Sequence, residues 1–236
     1  MSATPGRRTR RQSGETAPGV WLRPPREGRA EPAVTLGRIV GAAVELLDEE
    51  GAGRLTMRRL AERLETAATT LYLHVETKDD VLDLALDAVF GEVPVPPGPG
   101  GAWRDDITAL ITEWRATMLR HPWSVTVLDR PLLGPNVLAR TEYLYAALAR
   151  AGFTGPDLTA AAYALANHVI GSATMQVAGA GYGESEWSWA GDLHVRARRE
   201  LYPTLAAQGA PMGDDWDPMF TAGLNYLLDG IGSRIR

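Results

Sequence analysis

Between residues 55 and 78 the chain carries side chains suited to gripping a nucleic-acid duplex. Thr56 and Arg58 open one short apolar-periodic segment. Ala67, Ala68, Thr69, Thr70, Tyr72, Leu73 and His74 lie on a second, with Lys78 just beyond it. Small residues at the start of the second segment allow close approach to base edges, and Thr can donate, accept or touch a thymine methyl. A guanidinium such as Arg58 can reach guanine through two hydrogen bonds, while Thr56, Tyr72 and Lys78 carry groups that meet phosphates. The bland alternative, a pair of short solvated helices, is common. The spacing must decide.

That spacing fits two helices of two to three turns joined by a tight turn, the dimensions of a helix-turn-helix. Thr35 caps a first helix whose apolar positions are Leu36, Ile39, Val40, Ala43, Leu46 and Leu47, and Gly51 and Gly53 end it. Thr56 caps a second helix with Met57, Leu60, Ala61 and Leu64 inward. Glu65-Thr66 makes the turn, residues 67–75 form the third helix with Leu71 and Val75 inward, and residues 78–90 form the fourth. Residues 94–101 hold four prolines and three glycines and break the helical pattern, because proline lacks the amide donor. Helical periodicity then resumes over residues 103–120, 122–129, 135–151 and 157–177, breaks at the glycines 179, 181 and 183, and returns in a last helix bearing Phe220, Leu224, Leu227, Leu228 and Ile231. No alternating strand pattern occurs, so the expected class is all-α.

Charge, read over the whole chain, points the other way. The chain has 236 residues, 24 Lys+Arg and 29 Asp+Glu, for a net charge of −5. The distribution is uneven: residues 1–33 hold seven Arg and three acids, whereas residues 34–98 hold six bases and twelve acids. The acids at positions 48–50 and 79–87 fall on the first and fourth helices and read as solvated faces away from the duplex. Lys78 is the only lysine in the chain. The Arg7–Arg11 cluster suits phosphates or a minor groove, or is an inert basic tail.

Several functions are disfavoured. The chain has no cysteine, which excludes a disulfide, a thiol nucleophile and thiolate metal ligation. Four histidines, at 74, 121, 168 and 194, have no metal-binding spacing, and no Gly-x-Ser-x-Gly or Walker loop occurs. No catalytic residue, metal or cofactor is expected. Residues 158–183 carry no formal charge, but Asn167, His168 and Gln176 and the abundance of Ala argue for a buried helix over a membrane span. No targeting signal is read at the N-terminus, so the expected location is the cytoplasm.

Three stretches carry a resemblance: Ala43-Val-Glu-Leu-Leu-Asp-Glu-Glu-Gly51, Leu55-Thr-Met-Arg-Arg-Leu-Ala61, and Leu71-Tyr-Leu-His-Val75 followed by Lys78. Together they resemble the DNA-binding domain of the tetracycline-repressor (TetR) family of bacterial transcription regulators. The resemblance implies that residues 67–74 form the recognition helix and that Tyr72 and Lys78 contact phosphates. One departure is Glu65, where the family's turn carries Gly; a left-handed Glu costs about 1 kcal/mol relative to Gly.

A weaker resemblance covers residues 103–236 through Trp103, His121-Pro122-Trp123, Arg130-Pro131, Ala151-Gly152-Phe153 and Ile170-Gly171. It implies a homodimer paired through the 157–177 helix and the last helix. It also implies an effector cavity among Leu110, Trp114, Met118, Trp123, Val127, Leu144, His168 and Met175. Aromatic, apolar and soft side chains suit a bulky hydrophobic or aromatic ligand. Members that bind magnesium-tetracycline have a His before the Arg-Pro pair. Here Val125-Thr-Val-Leu-Asp129 stands there, so magnesium-tetracycline is not expected. Taken singly, each of Trp114, Met118 and Trp123 is better read as plain core; the cavity rests on the set and on the resemblance.

The expected organisation is a flexible Arg-rich arm (1–33), a three-helix helix-turn-helix DNA-binding domain (34–93), a Pro/Gly linker (94–101) and a larger helical ligand-binding and dimerisation domain (102–236). The expected function is a ligand-responsive repressor on a palindromic double-stranded DNA operator. The rivals are an enzyme, or a helical small-molecule-binding or interaction protein without DNA binding. Trp187 and Trp189 read either as a flap over the pocket or as ordinary packing.

Overall fold

Threonine hydroxyls start the helices of the N-terminal part. In this computed structural model, which describes residues 19–23, 34–98, 100–180, 184–208 and 216–234 (without the side chains of 184–188), Thr35 Oγ1 accepts from the Arg38 amide at 3.3 Å. Helix α1 (Leu36–Glu50) follows and ends at Gly51, whose φ of 77° favours a residue without Cβ. Thr56 Oγ1 accepts from the Arg59 amide at 3.2 Å and starts α2 (Met57–Arg63). Helix α3 (Ala68–Leu71) comes after a turn in which Glu65 takes φ 51°. Thr77 then forms a capping box with Asp80 at the head of α4 (Lys78–Phe90).

The third helix is shorter than its sequence pattern predicts. Regular α-helix covers only Ala68–Leu71, and the chain winds on to Val75 through turns such as His74 N to Leu71 O at 2.9 Å. Two adjacent threonines disfavour a longer helix, and the next helix's cap follows within six residues. Leu71 and Val75 are nonetheless buried, as the inward positions require.

After residues 91–102 come α5 (Trp103–Arg120), a 3-10 segment (Pro122–Val127), α6 (Pro135–Arg150), α7 (Gly155–Ala180), α8 (Glu184–Arg196), α9 (Pro203–Gln208) and α10 (Trp216–Gly232). There is no strand among the described residues. The α7 helix packs on α5, α6 and α10, burying Ala161, Leu165, Val169 and Ala173. Tyr163 and Met175 of α7 are exposed, as are Met219 and Tyr226 of α10.

The expected break at Gly179 is absent, since α7 runs through it to Ala180. A Cβ there would stand 3.2 Å from the Trp216 ring, so the glycine admits the start of α10 rather than ending a helix. Residues 181–183 lie outside the described ones. Trp189 sits on α8, exposed and outside the lining of the cavity described below; the side chain of Trp187 is not among those described. Of the Arg-rich arm, only residues 19–23 are described. There Val20–Leu22 forms a 3-10 turn, Trp21 shares a niche with Leu86, Pro131 and Val137, and Arg23 pairs with Glu76 and Asp80.

The solvated faces expected from the distribution of acids hold for Asp48 and Glu49 of α1 and for Asp79, but not for the other acids of α4. On α1, Glu49 pairs with Arg63 and Glu50 with Arg59, both from α2. On α4, Asp80, Asp83 and Asp87 are buried. Their partners come from elsewhere in the chain, so no sequence window shows them.

Candidate functional site

The N-terminal unit offers a face of small and polar groups. Thr56, Arg58, Ala67, Thr69, Tyr72 and Leu73 are exposed, while Ala68, Thr70, His74 and Lys78 are half-buried. Arg58 is tethered within its helix, its Nε donating to Glu62 Oε1 at 2.8 Å. Thr56 already uses its hydroxyl as a helix cap. Lys78 Nζ donates to the Ala52 carbonyl at 3.3 Å, holding the turn between α1 and α2 against the start of α4. Burial of Leu60, Ala61, Leu71 and Val75 against α1 fixes this face as one rigid head.

Carboxylates of that head reach into the C-terminal body. Asp87 Oδ1 accepts from the Val137 amide at 3.0 Å, and Oδ2 accepts from Asn136 Nδ2 at 3.0 Å. A carboxylate at the first turn of α6 satisfies amides that have no partner within the helix and meets the positive end of its dipole. Gly134 is required beside it, because a Cβ there would collide with the Asp87 carboxylate. Asp83 Oδ1 accepts from Arg130 Nη1 at 2.8 Å. Burial pushes the Asp83 carboxyl above its ordinary value; Arg130 opposes the shift, and Asp80 and Asp79 add to it. For Asp80 burial also acts upward, but Arg23 and the amides of Glu76 and Thr77 outweigh it and hold the carboxyl below its ordinary value.

Asp48 on α1 makes a third joint. Its Oδ1 accepts from Trp123 Nε1 at 2.7 Å and lies 2.7 Å from His121 Nδ1. His121 Nε2 in turn lies 3.2 Å from Glu92. Desolvation raises the Glu92 carboxyl, but hydrogen bonds from His121 and Arg120 prevail and lower it.

Behind these joints lies a cavity of about 280 Å³ between α5, α6 and α7. Leu110, Trp114 and Leu144, three residues singled out in the sequence, line it. The other five lie elsewhere. Met118 is fully buried core, Trp123 binds Asp48, and the Val127 carbonyl accepts from Arg130. His168 stacks on Phe220 at 4.9 Å with its Nε2 3.0 Å from the Phe220 carbonyl oxygen, and Met175 is exposed on α7. Sequence reasoning missed Arg140, Thr141 and Tyr145 on α6, and Tyr163 and Ile170 on α7. Heptad-like spacing on α6 was the available signal, since Val137, Arg140, Leu144 and Ala147 share one face.

Arg140 is the unusual member of that lining. Only 3% of it is exposed, and its guanidinium lies 3.7 Å from the Trp114 ring centre and 4.4 Å from that of Phe90. Such stacking is worth about 1–2 kcal/mol per ring. Yet Arg140 Nη1 and the neighbouring Trp114 Nε1 are buried with no hydrogen-bond partner, and a buried unpaired donor costs about 1–3 kcal/mol. Burial pushes the guanidinium down to about 9, which leaves it charged at neutral pH.

Among the described residues no cluster of three or more His, Asp or Glu could hold a metal ion, and no helix is long and apolar enough to cross a membrane.

Comparison with known proteins places both halves. Residues 39–85 match the model for bacterial regulatory proteins of the tetR family, and residues 95–235 match the tetracyclin repressor-like C-terminal domain. An HTH-type transcriptional regulator of Saccharopolyspora erythraea is 48% identical over 228 residues, covering 96% of this chain and 97% of that protein. The HTH-type transcriptional repressor DrrR1 of Streptomyces coeruleorubidus is 34% identical over 214 residues, covering 85% of this chain and 78% of its own length. ActR of Streptomyces coelicolor, solved in complex with actinorhodin, superposes with a TM-score of 0.77 at 28% identity, covering 86% of this chain and 98% of that one. With a head and a body that match the two halves of one family, and relatives aligned over most of their length, this chain belongs to the TetR family of transcription regulators.

Proposed function

We propose that the chain is a ligand-responsive repressor that acts as a homodimer on a palindromic operator and is released by a bulky aromatic small molecule. The head, within residues 34–93, reads DNA. Ala67, Ala68, Thr69 and Thr70 approach base edges, Arg58 reads a guanine, and Thr56, Tyr72 and Lys78 meet phosphates, with Leu73 and His74 flanking them. The body, residues 102–236, binds the effector and pairs with a second copy through the exposed faces of α7 and α10.

The observation that carries this reading is the contact between the cavity and α4. Phe90, the last residue of α4, packs edge-on against Trp114 of the cavity at 6.3 Å, while Lys78, the first, lies beside the reading segment. One helix therefore touches both sites, and a ligand that prefers one position of α4 biases the spacing of the two heads. ActR with actinorhodin bound supports a ligand in this fold, and the DrrR1 repressor supports the sign of regulation.

The test is selection of bound sequences from a random DNA pool by the full chain, followed by anisotropy titration at several salt concentrations. Inverted repeats with half-site centres about 10 bp or a multiple apart are expected, with affinity falling steeply as salt rises. Arg58→Ala relaxes base preference at one position of each half-site, whereas Lys78→Ala weakens all sequences alike. Recovery of no preferred sequence, or binding indifferent to salt, overturns the reading.

A further inference from the structure

Two buried donors in one cavity call for an acceptor. Arg140 Nη1 and Trp114 Nε1 both lack a hydrogen-bond partner, and both side chains line the same hollow between α5, α6 and α7. Buried polar groups in folded proteins are nearly always satisfied, and of the five buried side-chain atoms left without a partner among the described residues, these two belong to the lining of this cavity. The nearby acid cannot serve. Asp87 favours the charged form of Arg140 through space, but its own oxygens are occupied by the Asn136 and Val137 donors at the first turn of α6. Among the described residues no carboxylate pairs with Arg140, whereas Arg115, one residue from Trp114, is held by Asp217 at 2.7 Å.

The geometry points to an effector that carries a carboxylate on an aromatic body, with Arg140 as its anchor and Trp114 Nε1 as a second donor. The rings of Trp114 and Phe90, nearly perpendicular to each other, cover two sides of the guanidinium, and Nη1 is the donor left to meet an anion. A planar fork of N–H groups matches a carboxylate better than any neutral acceptor. The rest of the lining that a ligand would meet, Leu110, Leu144, Ala166 and Ile170, is apolar and suits the hydrocarbon part. Thr141 and Tyr145 also line the open groove on the outer side of α6, where Glu142 lies. An anionic group is therefore favoured at the inner end, beside Arg140, and repelled at the rim.

This inference rests on the cavity being the effector site, and the test separates the two. Isothermal titration of the full chain at pH 7 compares 2-naphthoate with its neutral isostere 2-naphthamide. The acid is expected to bind about tenfold or more tightly than the amide, the range of a charge-assisted bond over a neutral one. Arg140→Met, which keeps the length and removes the charge, abolishes that preference while amide binding persists. Trp114→Phe, which keeps a ring and removes the donor, weakens the acid several-fold and more than the amide, whose neutral carbonyl accepts the weaker bond, so the question stays answerable if Arg140→Met does not fold. Equal affinity of the wild type for the two probes, or a preference that survives Arg140→Met, overturns the anionic effector and leaves the cavity standing. Binding of neither probe at millimolar concentration overturns the cavity as the effector site as well.

Discussion

The joint between head and body and the cavity behind it treat buried charge in opposite ways. At the joint, the buried Asp83 and Asp87 are met by donors from the body, Arg130 and the first turn of α6, and the more exposed Asp48 by Trp123. In the cavity the charge is a cation, stacked on two rings, with one nitrogen and a neighbouring indole left without acceptors. The joint is a finished structure whose polar groups satisfy one another. The cavity is complete only when something else enters. Saturation of hydrogen bonds thus distinguishes the buried Asp83 and Asp87 of the joint from Arg140 and Trp114 of the cavity.

Removing one side of each arrangement should expose that difference. The largest effect is expected for Asp87→Ala, which strands the Asn136 and Val137 donors and lowers stability by roughly 3 kcal/mol in urea unfolding; a loss under about 1 kcal/mol would dissolve the contrast. Arg140→Met is expected to raise stability of the unliganded protein by about 1 kcal/mol, since it removes a buried charge without an ionic partner. A loss as large as that of Asp87→Ala would make Arg140 a structural member like those of the joint.

The pH dependence is subtler. A carboxyl raised by burial costs stability while ionised, and the cost is relieved as pH falls through its folded value toward the unfolded one. Asp83 is of this kind, so the wild type gains relative to Asp83→Asn as pH falls from 7 toward 4. Asp80 is of the opposite kind, and its stabilisation fades only below the ordinary value of 3.8. Thermal unfolding of the two proteins across that range measures the Asp83 effect, and a constant difference contradicts the raised Asp83. The smallest effect belongs to the head alone: Glu65→Gly relieves a left-handed φ of 51° and stabilises by roughly 0.5 kcal/mol, net of the greater freedom of glycine in the unfolded chain. A melting temperature that falls would mean Glu65 earns its place by contacts.

The head was largely legible because its information is local. Caps at Thr35 and Thr56, the apolar spacing of α1, α2 and α4, and the Leu71 to Lys78 signature all fit within short windows. The third helix was drawn too long because periodicity persists through residues whose backbone has left the helix, as at Val75. The cavity was only partly legible because its walls come from three helices far apart in sequence. Leu110, Trp114 and Leu144 were identifiable as apolar candidates on a resemblance. Arg140 looked like any surface arginine until α4, α5 and α7 closed around it. The same long-range pairing turned the acids of α4 from apparent solvent contacts into the joint.

The grip of Asp87 on α6 has a mechanical consequence. Val137 and Arg140 are three residues apart, about 4.5 Å along the axis of α6. A pull on Arg140 is therefore applied close to a pinned end, where a helix transmits rotation instead of bending. The pin sits near the C-terminal end of α4, whose 13 residues extend about 20 Å to Lys78. Asp87 itself lies nine residues from Lys78, about 13.5 Å, so a tilt of roughly 10° about it carries the far end through about 2 Å. α4 is thus a lever with a short input arm and a long output arm, and the Gly134 beside Asp87 is the clearance that its fulcrum needs.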